Sequence, residues 1–352
     1  MTADAQERAQ AVLDAAVEAR AFPGAAAATG TSSGPLWAYA TGNLTYEAQS
    51  PSVDPATLYD LASLTKVIST TSIAMRLAHA GALSLETRAS AWMPEWAEGP
   101  FAGVRVRDLL EHSAGLAAWL PLFQAHKGRD EYRRAIATLA PEYPPRTTSI
   151  YSDLGFIVLG HVLESAGGKP LDALFDAFRS AAGLPRTLAY GAAPDHDVAP
   201  TEFDPWRGRL CAGEVHDENA YALGGVAAHA GLFGNVGDVS AFARVVLRAF
   251  REDTALGTPA LMSIFATRSG VPGSSRALGW DTMLPTSSCG TRMSATAIGH
   301  TGFTGTSLWI DWERDLYIVL LTNRVYGGRE NTQIQQIRPR FHDAVVQDLS
   351  PG

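Results

Sequence analysis

A serine and a lysine stand three residues apart in Tyr59-Asp60-Leu61-Ala62-Ser63-Leu64-Thr65-Lys66. The stretch opens a helical pattern that continues through Thr70, Thr71, Ile73, Ala74, Leu77 and Ala78 to a stop at Gly81. Positions i and i+3 of a helix share a face one turn apart. Lys66 can therefore exchange a proton with Ser63 directly. A free hydroxyl is a weak nucleophile, and a neighbouring base activates it. A helix N-terminus adds unpaired N–H groups that suit a developing oxyanion. Taken alone, Ser-x-x-Lys is a weak signal, since an N-capping serine followed by a solvated lysine has the same spacing. A second serine, Ser32, lies in a literal G-x-S-x-G from Gly30 to Gly34. A nucleophile elbow needs strand, tight turn and helix. Pro35 and the strand-like Leu36-Trp37-Ala38-Tyr39 follow instead, so Ser32 reads as a turn residue.

The surrounding elements must position Ser63 and Lys66. Residues 5–20 carry Ala9, Val12, Leu13, Ala16 and Val17 on one face, the mark of an amphipathic helix ended by Pro23-Gly24. Ala25 to Thr29 and Leu36 to Thr41 read as a hairpin joined by Gly30-Thr31-Ser32-Ser33-Gly34-Pro35. From residue 63 to about 180 helical signals dominate, with helices expected over Val106–His112, Tyr132–Leu139 and Leu154–Ala166. Residues 185–222 are turn-rich and irregular, and Ser240–Phe250 is helical again. Ala295–His300, Ser307–Trp312 and Leu316–Thr322 are β-rich and suggest three antiparallel neighbours. A final amphipathic stretch, Ile334–Leu349, contains Pro339 as an expected break. The expected architecture is α+β. Residues 1–62 and 223–352 build one antiparallel sheet flanked by helices, residues 63–222 form an inserted, mainly helical domain, and the site lies in the cleft between them.

Two further stretches line up with Ser63-Leu64-Thr65-Lys66. One is Tyr151-Ser152-Asp153, directly before a helix. The other is Gly299-His300-Thr301-Gly302-Phe303-Thr304-Gly305, at a strand end. In order and rough spacing the three resemble the motifs of the serine β-lactamase and penicillin-binding-protein superfamily. The resemblance is closer to class C β-lactamases, family VIII esterases and D-alanyl peptidases. It extends to Leu109-Leu110-Glu111-His112-Ser113-Ala114-Gly115-Leu116 and to the stretch from Val215 to Phe233. It implies a β-lactamase/transpeptidase-like fold and a covalent acyl-enzyme. Ser63 is then the nucleophile, Lys66 holds or accepts its proton, and Tyr151 is general base and proton donor, its pKa lowered by cationic Lys66. The N–H groups of Ser63 and Phe303 form the oxyanion hole. Asp153, His300, Thr301 and Gly302 contact substrate, with Gly302 keeping a strand edge bare for a substrate backbone. Two residues depart from the family pattern. Asp153 stands where asparagine is usual, accepts only, and favours charged Lys66. His300 stands where β-lactamases carry lysine, and offers a partial charge near neutral pH.

Composition bounds the reading further. The chain has 352 residues, net charge −8 and no basic tract, which argues against nucleic acid as a partner. No run of ~18 apolar residues occurs, so no membrane span is expected. The start lacks a basic, then apolar, leader, and the reading is cytoplasmic, or periplasmic if a leader was removed. Cys211 and Cys289 make no disulfide framework, and their pairing is open. His112, His216 and His229 fit no zinc spacing, and acyl transfer needs neither metal nor cofactor. Asp217 and Glu218 are expected to brace a loop. Trp119, Trp206, Trp280 and Trp309 are candidates to line the cleft. The expected function is serine hydrolysis of small esters, amides or D-amino-acid peptides. A true class C-like β-lactamase and a non-catalytic penicillin-binding sensor or scaffold are the alternatives, and the oligomeric state is open.

Overall fold

The structure, a computed structural model, describes residues 2–347. Helix α1 (Ala3–Glu18) leads into a hairpin of β1 (Gly24–Thr31) and β2 (Gly34–Gly42). Helix α2 (Ser72–His79) and α3 (Asp153–Gly167) belong to the helical middle of the chain, and α4 (Val236–Ala249) follows it. Strands β3 (Asp281–Thr282), β4 (Ile298–Thr301), β5 (Ser307–Asp311) and β6 (Leu316–Thr322) precede the last helix, α5 (Ile334–Val346). The six strands form one sheet in the order β2-β1-β6-β5-β4-β3, antiparallel throughout. Both ends of the chain therefore meet in one sheet, with Ala27 opposite Leu320.

The two-residue period of a strand decides which layer each side chain joins. Ala25, Ala27, Ile318 and Leu320 pack with Leu13 of α1 and with Ile337, Phe341 and Val345 of α5. Ala26, Ala28, Tyr317, Val319 and Leu321 face the larger core, which holds Phe242 and Val246 of α4. The alanines of β1 are small enough to bring helices close on both faces. Burial on both faces explains why β1 and β6 read as continuous apolar runs rather than alternating ones.

Some expectations need correction. The hairpin turn is tighter than the Gly30–Pro35 linker, with pairing carried to Thr31 and Gly34 past a bulge at Thr29/Gly30. Ser32 donates its N–H and hydroxyl to the Asp315 carboxylate, at 3.1 and 2.9 Å, so it is a bound turn residue. Pro339 does not break α5. A proline inside a helix costs ~3 kcal/mol or more. Burial of Ile337 and Phe341 on either side of it offsets that cost. The part of the Ile334–Leu349 stretch beyond residue 347 lies outside the described residues. Cys211 and Cys289 are both free and buried. Among the described residues no helix is long and apolar enough to cross a membrane.

Phe341 is fully buried between α5 and the sheet. Phe341→Ala is expected to destabilise the protein by about 3–5 kcal/mol. Urea unfolding at fixed pH reads this, with a lowered midpoint and an unchanged slope.

Candidate active site

Ser63 does not sit in a regular α-helix. It occupies a turn in which the N–H of Lys66 donates to the Ser63 carbonyl at 3.1 Å. Lys66–Thr71 then form a π-helical segment that runs into α2. The hydroxyl-rich run Ser69-Thr70-Thr71-Ser72 supports the wider winding. Thr71 Oγ1 donates to the Lys66 carbonyl at 2.8 Å and Ser72 Oγ to the Val67 carbonyl at 3.2 Å, each reaching back five residues. Such π segments recur at functional sites. Ala62, just before Ser63, is held at φ +47°, a conformation unfavourable for a residue with a Cβ. Asp60 stabilises that turn by accepting from Ala62 N at 2.8 Å and His216 N at 2.6 Å.

Lys66 is fully buried, and its ammonium meets three segments. It donates to Ser63 Oγ at 3.0 Å and to the His229 carbonyl at 3.1 Å, and it pairs with Asp153 Oδ1 at 2.7 Å. Burial opposes the charge, but Asp153 and Tyr151 more than offset it, and the Lys66 pKa lies above the usual lysine value. Asp153 is the first residue of α3, while Ser152 is its cap, accepting from Gly155 N at 3.0 Å. The Asp153 carboxylate is thus assigned to Lys66 rather than to capping.

Tyr151 packs against His112 at a tilt, ring centres 4.6 Å apart, and lies 4.8 Å from Lys66 Nζ measured to its ring centre. Its hydroxyl is buried beside Lys66 and Ser63 and makes no hydrogen bond of full geometry among the described residues. Burial raises the Tyr151 pKa, and the opposing pull of Lys66 does not cancel it. The expected lowering by Lys66 is therefore present as one contribution and reversed in the net. His112, held at φ +57°, accepts the Ser152 N–H at Nδ1 and stacks on Phe156. It positions Tyr151, a role not read from the sequence.

The third motif is stitched to the Ser63 turn. Thr304 Oγ1 donates to the Asp60 carbonyl at 2.8 Å and Thr306 Oγ1 to the Leu61 carbonyl at 3.0 Å. Gly302 is needed for this close approach: a Cβ there would stand 2.7 Å from the Leu61 carbonyl oxygen. The bare edge belongs to His300 and Thr301 instead, because β3 pairs with β4 only at Ile298 and Gly299. The backbone N–H groups of Ser63 and Phe303 donate to no group among the described residues. His300 is buried, its Nδ1 bonded to the Thr301 carbonyl at 2.8 Å. Burial, then Arg276 and Lys66, hold its pKa well below the usual range. It is neutral near pH 7, and the partial charge expected of it is absent.

Ser63 and Tyr151 border two adjoining recesses. The first also holds Asp153, Asp217, Trp119 and Phe303, the last two 42% and 48% exposed. The second holds Arg276, His300, Thr301, Gly302 and Arg338. Arg276 lies 5.0 Å from the Tyr151 ring centre, and its Nε is 3.9 Å from Asp281 Oδ1. Nothing in the sequence singled it out, because its neighbours there form no motif. Of the other tryptophans, Trp206 packs on Phe123 and Tyr221, while Trp280 and Trp309 are core residues. His216 pairs with Glu202 at 2.7 Å and His229 with Asp217 at 2.8 Å. Asp217 also caps the following turn by accepting from Ala220 N, and Glu218 pairs with Arg329, so both carboxylates brace loops.

Residues 9–339 match the Beta-lactamase family model. The chain is 34% identical over 309 residues to an Escherichia coli (strain K12) protein named "Putative D-alanyl-D-alanine carboxypeptidase", covering 77% of this chain and 70% of the relative. It is 32% identical to the N-acetylmuramyl-L-alanine amidase of Bacillus subtilis (strain 168), covering 76% of this chain and 68% of that one. Among solved structures it is similar to EstCE1, a hydrolase with promiscuous acyltransferase activity, with a TM-score of 0.75 and 21% identity over 96% of this chain and 98% of that one. That last likeness concerns the fold. The family match spans nearly the whole chain, and it includes the serine, lysine and tyrosine that meet at the cleft: the chain belongs to the β-lactamase family of serine hydrolases.

Proposed function

We propose that Ser63 is the nucleophile of an acyl-transfer cycle on small amides or esters whose leaving group carries a carboxylate. The observation that carries this reading is the meeting of Ser63 Oγ with a buried Lys66 that is paired to Asp153, beside the buried hydroxyl of Tyr151. Asp153 holds the Lys66 charge, so Tyr151 rather than Lys66 takes the serine proton. Ser63 Oγ attacks the acyl carbon while its proton passes to the Tyr151 phenolate. The oxyanion is met by the free N–H groups of Ser63 and Phe303. As the tetrahedral intermediate collapses, Tyr151 returns that proton to the leaving nitrogen or oxygen. Water then repeats the sequence on the acyl-serine and releases the acid. Because burial raises the Tyr151 pKa, the phenolate is scarce at neutral pH, and kcat/KM rises as pH increases above 7.

Arg276 supplies the permanent positive charge that His300 lacks. It faces the bare edge at His300 and Thr301, where a leaving residue would lie, and has donors free for a carboxylate. Trp119 and Phe303 give the acyl side an apolar wall. Peptides ending in D-alanine and amides of the amidase type both meet these requirements, and the two curated relatives carry names of those two kinds.

Two experiments test the reading. The first is a panel of p-nitrophenyl esters, nitrocefin and D-Ala-D-Ala peptides assayed on wild type and Ser63→Ala. Ester turnover is expected in the wild type and its loss in the variant; full activity in Ser63→Ala would remove Ser63 from the nucleophile's role. The second is Asp153→Asn. Without the carboxylate, desolvation of Lys66 is opposed by Tyr151 alone, and its pKa falls. The alkaline limb of kcat/KM is expected to move to lower pH. An unmoved limb would mean that Asp153 does not hold the lysine charge.

A further inference from the structure

The recess beyond Ser63 holds more positive charge than one carboxylate can use. Arg276, Arg324, Arg329 and Arg338 all border it, and no aspartate or glutamate does. Arg329 is neutralised by Glu202 and Glu218, and Arg276 is paired loosely with Asp281. Arg324 donates to the carbonyls of Phe303, Arg329 and Asn331. The carboxylate nearest Arg276 is Asp281, 3.9 Å from its Nε and already accepting from Ser275 Oγ at 2.6 Å.

Arg338 is the second pole. It is 8% exposed and donates Nη2 to the carbonyls of Gly302 and Thr306, at 2.8 Å each, while its Nε has no partner. Burial and the nearby Arg324 push its pKa down to about 9, as expected where cations face one another without an anion. The N-terminus of α5 opens beside it. Gln333 gives that end no side-chain cap, and Ile334 and Gln335 border the recess. A 13-residue helix presents partial positive charge at such an end. The recess continues past Thr301, Gln335 and Arg338 into a second hollow lined by Ser275, Ser287 and Ser288, with the carboxylate of Asp281 on its wall beside Ser275. The leaving side thus has room beyond the first carboxylate.

We propose that the leaving-group side holds two anion positions, one at Arg276 and one at Arg338 with the N-terminus of α5, and that it takes an acidic amino-acid residue bearing two carboxylates. The inference rests on the acyl-transfer reading above and adds the identity of the leaving group. The α-carboxylate sits at Arg276 and the side-chain carboxylate reaches Arg338 and Gln335.

The test uses three amides with one acyl group and leaving residues alanine, glutamine and glutamate of the same hand. Glutamine keeps the shape of glutamate and removes one charge. Wild-type kcat/KM is expected to favour glutamate over glutamine by about tenfold or more, and the ratio to fall as ionic strength rises. Gln335 is exposed, and an acidic residue suits the first turn of a helix, so Gln335→Glu is expected to fold. It should bring the glutamate-to-glutamine ratio to about one or below. A wild-type ratio near one, or a ratio unchanged in Gln335→Glu, would overturn the proposal. If none of the amides is cleaved, the same ratios are read from their inhibition of p-nitrophenyl ester turnover. Failure of the parent reading looks different: ester turnover would survive Ser63→Ala.

Discussion

The ammonium group of Lys66 is the interaction on which the site depends. An unpaired charge in a protein interior is expensive, and removing one partner of a buried pair typically costs 3–5 kcal/mol. The chain meets this demand by bringing three acceptors to one point. They come from the turn at Ser63, the first residue of α3 and the carbonyl of His229. Each acceptor belongs to a different stretch of chain, so satisfying the lysine also fixes the relative positions of those stretches. The glycines around His229 serve the same end. Gly225 and Gly231 adopt φ values of +83° and +121°, which lets that loop turn tightly enough to aim its carbonyl inward.

A second knot joins the sheet to this point. Thr304 and Thr306 hydrogen-bond the backbone just before Ser63, and Arg338 holds the carbonyls of Gly302 and Thr306 from behind. Among the described residues the N–H groups of Ser63 and Phe303 are left without partners as a result, while the carbonyls around them are bonded. The strain at Ala62 belongs to the same arrangement. It is held by Asp60, a carboxylate whose pKa burial raises even though the N–H groups of His216 and Ala62 oppose the shift. Preorganisation of this kind leaves little rearrangement for the reaction itself.

Much of the fold was legible because strongly periodic stretches say which face is buried. The hairpin, the three late strands and α3 were read with small boundary errors. Pro339 misled because local propensity argued for a break, while burial of Ile337 and Phe341 holds the helix together. The serine, lysine and tyrosine were legible through motif order. What the sequence hid were effects of surroundings. The Tyr151 and His300 pKa values follow from burial, which no spacing reveals. Gly302 was read as making room for substrate, whereas it makes room for Leu61. Arg276 and Arg338 reach the cleft from separate elements with no signature, and only the tertiary structure brings their charges to one recess.

The proposed chemistry makes the Ser63 hydroxyl, bonded to the buried lysine, the group that becomes acylated. Incubation with a fluorophosphonate or a fluorescent penicillin, followed by peptide mass spectrometry, addresses it directly. One adduct is expected, on the peptide containing Ser63, absent when that serine is alanine. An adduct on Ser32 instead, or none with either probe while the protein is folded, would contradict it.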